Sequence, residues 1–298
     1  MNEQKIQEAF SPATGYQKKS QLPEMWRRLK KNKTAMVGLA IFLLILLVAI
    51  FADLIVPYSR AIDQNSAARL LGPSAEHWFG TDAYGRDIFA RIVHGARFSL
   101  LTGIAAVIVG FLLGGVLGAA AGYYGGIIDS IIMRVLDTIM CIPFLVLALA
   151  IVAALGTGLV NVLLALMLSS VPTYARIVRS AILTVVDQDF IEAAKACGTP
   201  NRVIIFKHVM PNAIGPIIVQ TTMSVGMMIK DAAAMSFLGM GIQPPSPEWG
   251  AMLSEGKSYM MYAAHIVIIP GLAIAVTALA LNLMGDGLRD VLDPRLKD

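Results

Sequence analysis

The chain has 298 residues, of which 56% are hydrophobic and 15% charged, with a net charge of +4. A soluble domain carries about 25% charged residues, so this composition excludes a water-soluble globule. It also excludes a disordered chain, which needs low hydrophobicity and high charge, and a disulfide-framed secreted protein, because there are only two Cys. Nucleic acid is excluded as a partner too: aromatics are 7% of the chain and lie mostly in apolar runs, away from any basic face. A polytopic membrane protein bathed in lipid remains.

A membrane helix needs about 20 apolar residues to cross about 30 Å of hydrocarbon. Six stretches qualify. In chain order they are Ala35 to Val56, Ser99 to Ala121, Val135 to Leu155, Leu159 to Ile177, Val209 to Ile229 and Ala263 to Met284. The first is too long an apolar run for a signal peptide, whose core has about 7–15 residues. Along the second and just past its end, Gly110, Gly114, Gly118, Gly122 and Gly126 recur every fourth residue. That strip lacks side chains and lets another backbone approach closely. Spans three to six each contain a proline, which favours kinks and suits a wall that opens and closes.

Orientation follows from basic residues, which stay on the cytoplasmic side. With the N-terminus inside, 17 Lys/Arg fall inside and seven outside. Both termini are therefore predicted to be cytoplasmic.

Chemistry is sparse. His77, His94, His208 and His265 are scattered, and Cys141 and Cys197 lie far apart, so no metal site is expected. No catalytic constellation is recognisable. The run from Ala251 to Ser258 fits a relaxed phosphate-loop pattern, but it lacks the strand before and helix after that the mechanism needs. ATP, if used, belongs to another chain. Asp137 is the notable ionisable group near a span, open to pairing with Arg134 one turn away or to contacting cargo. Lys230 and Asp231 could form a rim pair at the end of span five.

Between spans four and five lies a short helix with start and stop signals. Asp189 is placed to cap its amides, with Glu192 three residues later as in a capping box. Gly198 can take the left-handed turn that ends it, and Thr199 can cap a second helix with Pro200 at its first position. Phe190, Ile191, Ala193, Ala194, Val203, Ile204 and Phe206 are too many apolar groups for a solvated loop. Either a partner covers them or the pair lies on the lipid surface.

Glu192-Ala193-Ala194, then Gly198, then Pro211 resembles the Glu-Ala-Ala signature of ABC importer permeases, with His208 where that family has an apolar Ile. Three blocks narrow the resemblance to the second permease subunit of the dipeptide, oligopeptide and nickel class. They are 79–87 (FGTDAYGRD), 237–250 (FLGMGIQPPSPEWG) and 282–294 (NLMGDGLRDVLDP). The resemblance implies an all-α type I importer permease in the inner membrane of a bacterium or archaeon, with one N-terminal helix and a five-helix core. The layout would be a basic cytoplasmic segment (1–34), a first membrane helix (35–57), an extracytoplasmic loop (58–96), the core (97–286) with its coupling loop (187–211), and a cytoplasmic tail (287–298). It further implies a homologous permease partner, two cytoplasmic ATPase subunits that bind ATP and Mg, and an external substrate-binding protein. Coupling would fall to Asp189, Phe190, Glu192, Ala193, Ala194, Gly198, Thr199 and Pro211. Asp137, Lys230 and Asp231 are the pathway or rim candidates. Peptides lead as cargo, with nickel chelates, glutathione and opines as alternatives. The rival class is a self-sufficient secondary transporter, which only Asp137 and the prolines suggest.

Overall fold

The computed structural model describes residues 26–292. The N-terminal residues 1–25 and the tail 293–298, with most of the predicted basic segment and the end of the third block, lie outside the described residues. The helices of eight residues or more are α1 (Lys33–Ile50), α2 (Ile88–Tyr124), α3 (Gly126–Met140), α4 (Phe144–Leu155), α5 (Leu159–Val186), α6 (Asp189–Ala196), α7 (Met210–Phe237), α8 (Trp249–Gly256) and α9 (His265–Leu292). Among the described residues, α1, α2, α5, the run 201–237 and α9 are long and apolar enough to cross a bilayer. α3 and α4 together would make a sixth span.

That sixth span corrects an expectation. The stretch from Val135 to Leu155 reads as one helix, yet the chain bends by 82° between α3 and α4. Pro143 causes the break: it lacks an amide proton and pushes the residue before it out of helical geometry. Pro172, Pro216 and Pro270, by contrast, sit inside continuous helices. Pro211 acts upstream of itself. Its ring displaces the carbonyl four residues back, and the turn before it widens into a π-helix, Ile204–Val209, where the Met210 amide reaches the Ile205 carbonyl.

The long helix α2 begins well before its apolar run, inside the predicted loop. Asp87 caps it, accepting the Ala90 amide at 2.9 Å. The glycine strip packs α2 against α5. A methyl group added at Gly114 would sit 2.6 Å from the Val171 carbonyl oxygen, and one at Gly122 would sit 3.1 Å from that of Arg179. Gly118 meets Ala175 in the same way, so three of the five glycines carry backbone-to-backbone packing, while Gly110 makes room for the Ser170 and Tyr174 side chains. Gly126 does not, because it lies past the end of α2 in open space.

Three apolar clusters stack along the bundle. At one end α1, α2, α7, α8 and α9 meet around Ile88, Leu100, Ile229, Trp249, Ile266 and Leu281. A middle cluster joins α2, α4, α5 and α7 through Val107, Val152, Leu166, Tyr174 and Met235. The third, at the far end of α2, underlies α6.

Candidate coupling loop, ion clasp and transport path

The α6 loop is seated by two side chains. Ile191 from α6 and Ile204 from the π-turn are both fully buried, against Val178, Ile182, Val185, Val209 and Ile217. Burying one such side chain stabilises by about 1.5–3 kcal/mol. Tyr123 donates a hydrogen bond to the Asn201 carboxamide oxygen at 2.8 Å, which ties the loop to the end of α2.

The predicted caps shift by one residue. Gln188, not Asp189, occupies the N-cap, and its side chain makes no capping bond; it instead donates to the Thr184 carbonyl. Asp189 and Glu192 both stand in the first turn, where they complement the helix dipole without closing a capping box. Likewise Pro200 replaces Thr199 as the cap of the following turn. The C-terminal stop forms as expected. Gly198 adopts φ +73°, its amide donates to the Lys195 carbonyl and the Thr199 amide to that of Ala194. Those two bonds define a Schellman motif.

What remains facing outward is a compact surface: Phe190, Glu192, Ala193 and Val203 are exposed, and Phe206 is 74% exposed. Ala194 and Thr199 are partly covered. Pro211 is exposed at the start of α7. Cys197, on the same loop, is a free exposed thiol.

Asp137 pairs with Arg176 of α5 at 2.5 Å, not with Arg134. The tilt of α3 across α5 accounts for this, because it also brings Asp129 onto Arg179 in a two-pronged pair at 2.6 Å. Two ion pairs thus tie α3 to α5. Lys230 and Asp231 form no ion pair: neighbours in sequence on a helix point about 100° apart. Lys230 is exposed and Asp231 partly buried.

At the opposite end of α2 lies a site that sequence reading missed. The Arg86 and Arg91 side chains are 1% exposed. Both bridge Asp82, at 2.7 and 2.5 Å, and both bridge Glu255 of α8 at 2.7 Å. Asp82 is further held by the amides of Tyr84 and Arg86. Two cations and two anions make the cluster neutral, which is how ions survive burial. Gly85 makes the turn possible, since it has φ +76° and its added methyl would press on Asn65. Next to this, Asp87 binds Arg60 at 3.0 Å and His77 at 2.8 Å while capping α2.

α8 is wedged beside this clasp. The Trp249 indole donates to the Ile92 carbonyl at 3.1 Å. Gly250 approaches Ala233 of α7, leaving no room for a methyl group. Glu248 caps α8, accepting the Gly250 and Ala251 amides at 2.9 and 2.8 Å. Burial pushes its carboxyl above the usual range, against the pull of those amides. Residues of the phosphate-loop look-alike lie mostly inside α8, so no free loop amides face a phosphate. The pattern alone could flag part of this end: the 79–87 block carries three charges in a charge-poor chain. Glu255, 169 positions from Arg86, could not be paired with it by spacing.

A helical bundle with a broken span, a seated loop helix at one end and a clasped short helix at the other defines a membrane-embedded transport subunit. Residues 110–298 match the family described as binding-protein-dependent transport system inner membrane component. Residues 20–73 match the N-terminal membrane domain of oligopeptide transport permease C. The chain belongs to this family of inner-membrane permeases, as a C-type subunit of the peptide class of ABC importer.

Among relatives, it is 49% identical over 286 residues to the dipeptide transport system permease protein DppC of Alkalihalophilus pseudofirmus, covering 96% of this chain and 94% of that one. It is 45% identical to the glutathione transport system permease protein GsiD of Escherichia coli, covering 92% and 90%. In fold it resembles the inward-facing MetNI methionine ABC transporter, with a TM-score of 0.58 over 69% of this chain and 98% of that chain, at 20% identity. The chain is therefore a permease subunit and not an enzyme; ATP hydrolysis belongs to the partner ATPases.

Proposed function

We propose that this subunit forms, with a homologous permease, the path for di- and oligopeptides, and that α6 and the turn after it seat in a groove of one of two cytoplasmic ATPases. The observation that carries the coupling role is the division of labour on the loop. Ile191 and Ile204 fix it to the bundle, while Phe190, Glu192, Ala193 and Phe206 are left facing out. A stiff helix held on one side transmits displacement from a partner to α5 and α7. Glu192 supplies charge at the seat, Ala193 and Ala194 a low surface, and Gly198 with Thr199 and Pro211 the fixed turn geometry around it; Asp189 and Phe190 complete the entry side.

In this reading ATP and Mg bind the ATPases, and this chain binds no cofactor of its own. ATP-driven closure of the ATPases rocks the permeases from inward-facing to outward-facing. An extracytoplasmic binding protein then releases cargo into the opened path. The loop end of the bundle and both termini are cytoplasmic, in line with the 17 to seven distribution of basic residues. Peptide cargo is supported by the DppC relative, and glutathione, itself a tripeptide, is the second reading supported by GsiD.

Substituting Glu192→Lys or Gly198→Asp should leave the protein in the membrane and strongly reduce ATP-driven peptide uptake. Normal uptake at normal membrane levels would overturn the coupling assignment.

A further inference from the structure

α7 has two accessible faces of opposite chemistry. At about 100° per residue, Ile214 and Ile218 fall on one side, where with Phe42, Ile104 and Phe111 they line an apolar groove of about 320 Å³. That face suits lipid. About 120–160° away around the helix lie Gln220, Met227 and Asp231, with Lys230 beside them. Gln220 and Asp231 are partly accessible, Lys230 is exposed, and Met227 is 49% exposed. The flanks between the two faces are closed: Met228 packs in the middle cluster with α5, and Gly226 abuts Ala278 of α9.

Lipid is a poor neighbour for the second face. A carboxylate at the bilayer centre costs about 2.5–3.5 kcal/mol even on insertion scales, and less toward the end of a span, where Asp231 stands; the two carboxylates of α3 are paired. Asp129 and Asp137 have their arginines. Among the described residues, Asp231 has no ion-pair partner. An ionised carboxylate only accepts hydrogen bonds, so the group that would complete it is a cation with protons to give. The neighbouring Met227 is an adaptable apolar contact that fits side chains of varied shape.

We infer that this face of α7 borders the aqueous path and that Asp231 is a way-station for the primary ammonium of the cargo. The inference rests on the peptide reading, since every unmodified peptide that does not begin with proline carries that one group, whatever its side chains. It requires no specific pocket, which suits a path that must pass many sequences.

The test uses the assembled transporter, with both permeases, both ATPases and the binding protein, in proteoliposomes supplied with radiolabelled dialanine. Asp231→Asn should deliver about tenfold less dipeptide per ATP hydrolysed, the loss of one charge-assisted contact. Binding-protein-stimulated ATPase and co-purification of the partner permease should stay unchanged. Asp231→Glu should restore most of the delivery. An unchanged ratio would overturn the inference. So would a parallel fall of ATPase and uptake, which marks a gating residue, or loss of the partner permease, which marks a subunit contact. If the wild-type transporter moves no dipeptide at all, the peptide reading itself falls and takes the inference with it. That outcome is distinguishable because it precedes any substitution.

Discussion

The two ends of α2 solve opposite problems. At the clasp end, four charged side chains, three buried and Glu255 nearly so, neutralise one another: Arg86 and Arg91 each pair with both Asp82 and Glu255. At the loop end, apolar side chains are left uncovered, with Phe206 and Phe190 facing out. Ion pairs inside the fold tie their elements together, whereas uncovered apolar groups mark a surface completed by a partner. One end is built to hold its own shape and the other to receive it from elsewhere.

The sharpest way to break that contrast is at the clasp. Arg91→Ala leaves Asp82 and Glu255 sharing one cation inside the fold, and stranding a buried charge costs about 3–5 kcal/mol. The melting temperature of the detergent-solubilised complex should fall steeply, with poor accumulation in the membrane. Adding Glu255→Gln removes the stranded charge and should recover part of the loss. Equal melting of the single and double variants would mean that the clasp is not an electrostatic unit.

The loop end should answer differently to two substitutions of similar size. Ile191→Ala removes a fully buried side chain and should cost about 2–4 kcal/mol of local stability, read as faster hydrogen exchange across 188–204. Phe206→Ser removes an exposed one and should change global stability by less than about 0.5 kcal/mol. Its effect should appear only in the assembled transporter, as weaker retention of the ATPase subunits during purification. Destabilisation of the isolated permease by Phe206→Ser would show that the ring packs on its own chain.

Most of the bundle was legible because a membrane helix must satisfy its backbone internally and announces itself by length and apolarity. The glycine strip was legible for the same local reason, as a spacing of four, close to the 3.6 residues of one turn, keeps Gly110, Gly114, Gly118 and Gly122 near one face. The bend between α3 and α4 was not, since apolar residues on both sides of Pro143 read alike whether the chain continues or turns. Pro172 sits mid-helix with no comparable break, so proline alone does not decide. The clasp depended on contacts 169 positions apart, and Asp137 chose Arg176 over Arg134 because of a helix crossing angle. Pairings of this kind follow from tertiary geometry, which spacing along one helix does not encode. In the loop, the stop at Gly198 was readable because few residues tolerate a left-handed turn. The start was not, because Gln188, Asp189 and their neighbours compete for the cap within one residue.

The smallest effect concerns Gly198. An alanine there can fit, because nothing stands within 4 Å of the added methyl, and the remaining cost is that of holding an L-residue at φ +73°. That cost is about 1–2 kcal/mol. It falls on the Schellman turn rather than on the bundle, so Gly198→Ala should fray the last turn of α6 while Ile191 and Ile204 keep the loop seated. Coupling efficiency should then drop modestly, with ATPase activity becoming less dependent on loaded binding protein and melting of the complex unchanged. Gly85→Ala meets the backbone of Asn65 as well as the same left-handed penalty, and should therefore destabilise the clasp end more than Gly198→Ala does the loop end. The reverse order would mean that the loop, not the clasp, is the more tightly packed region.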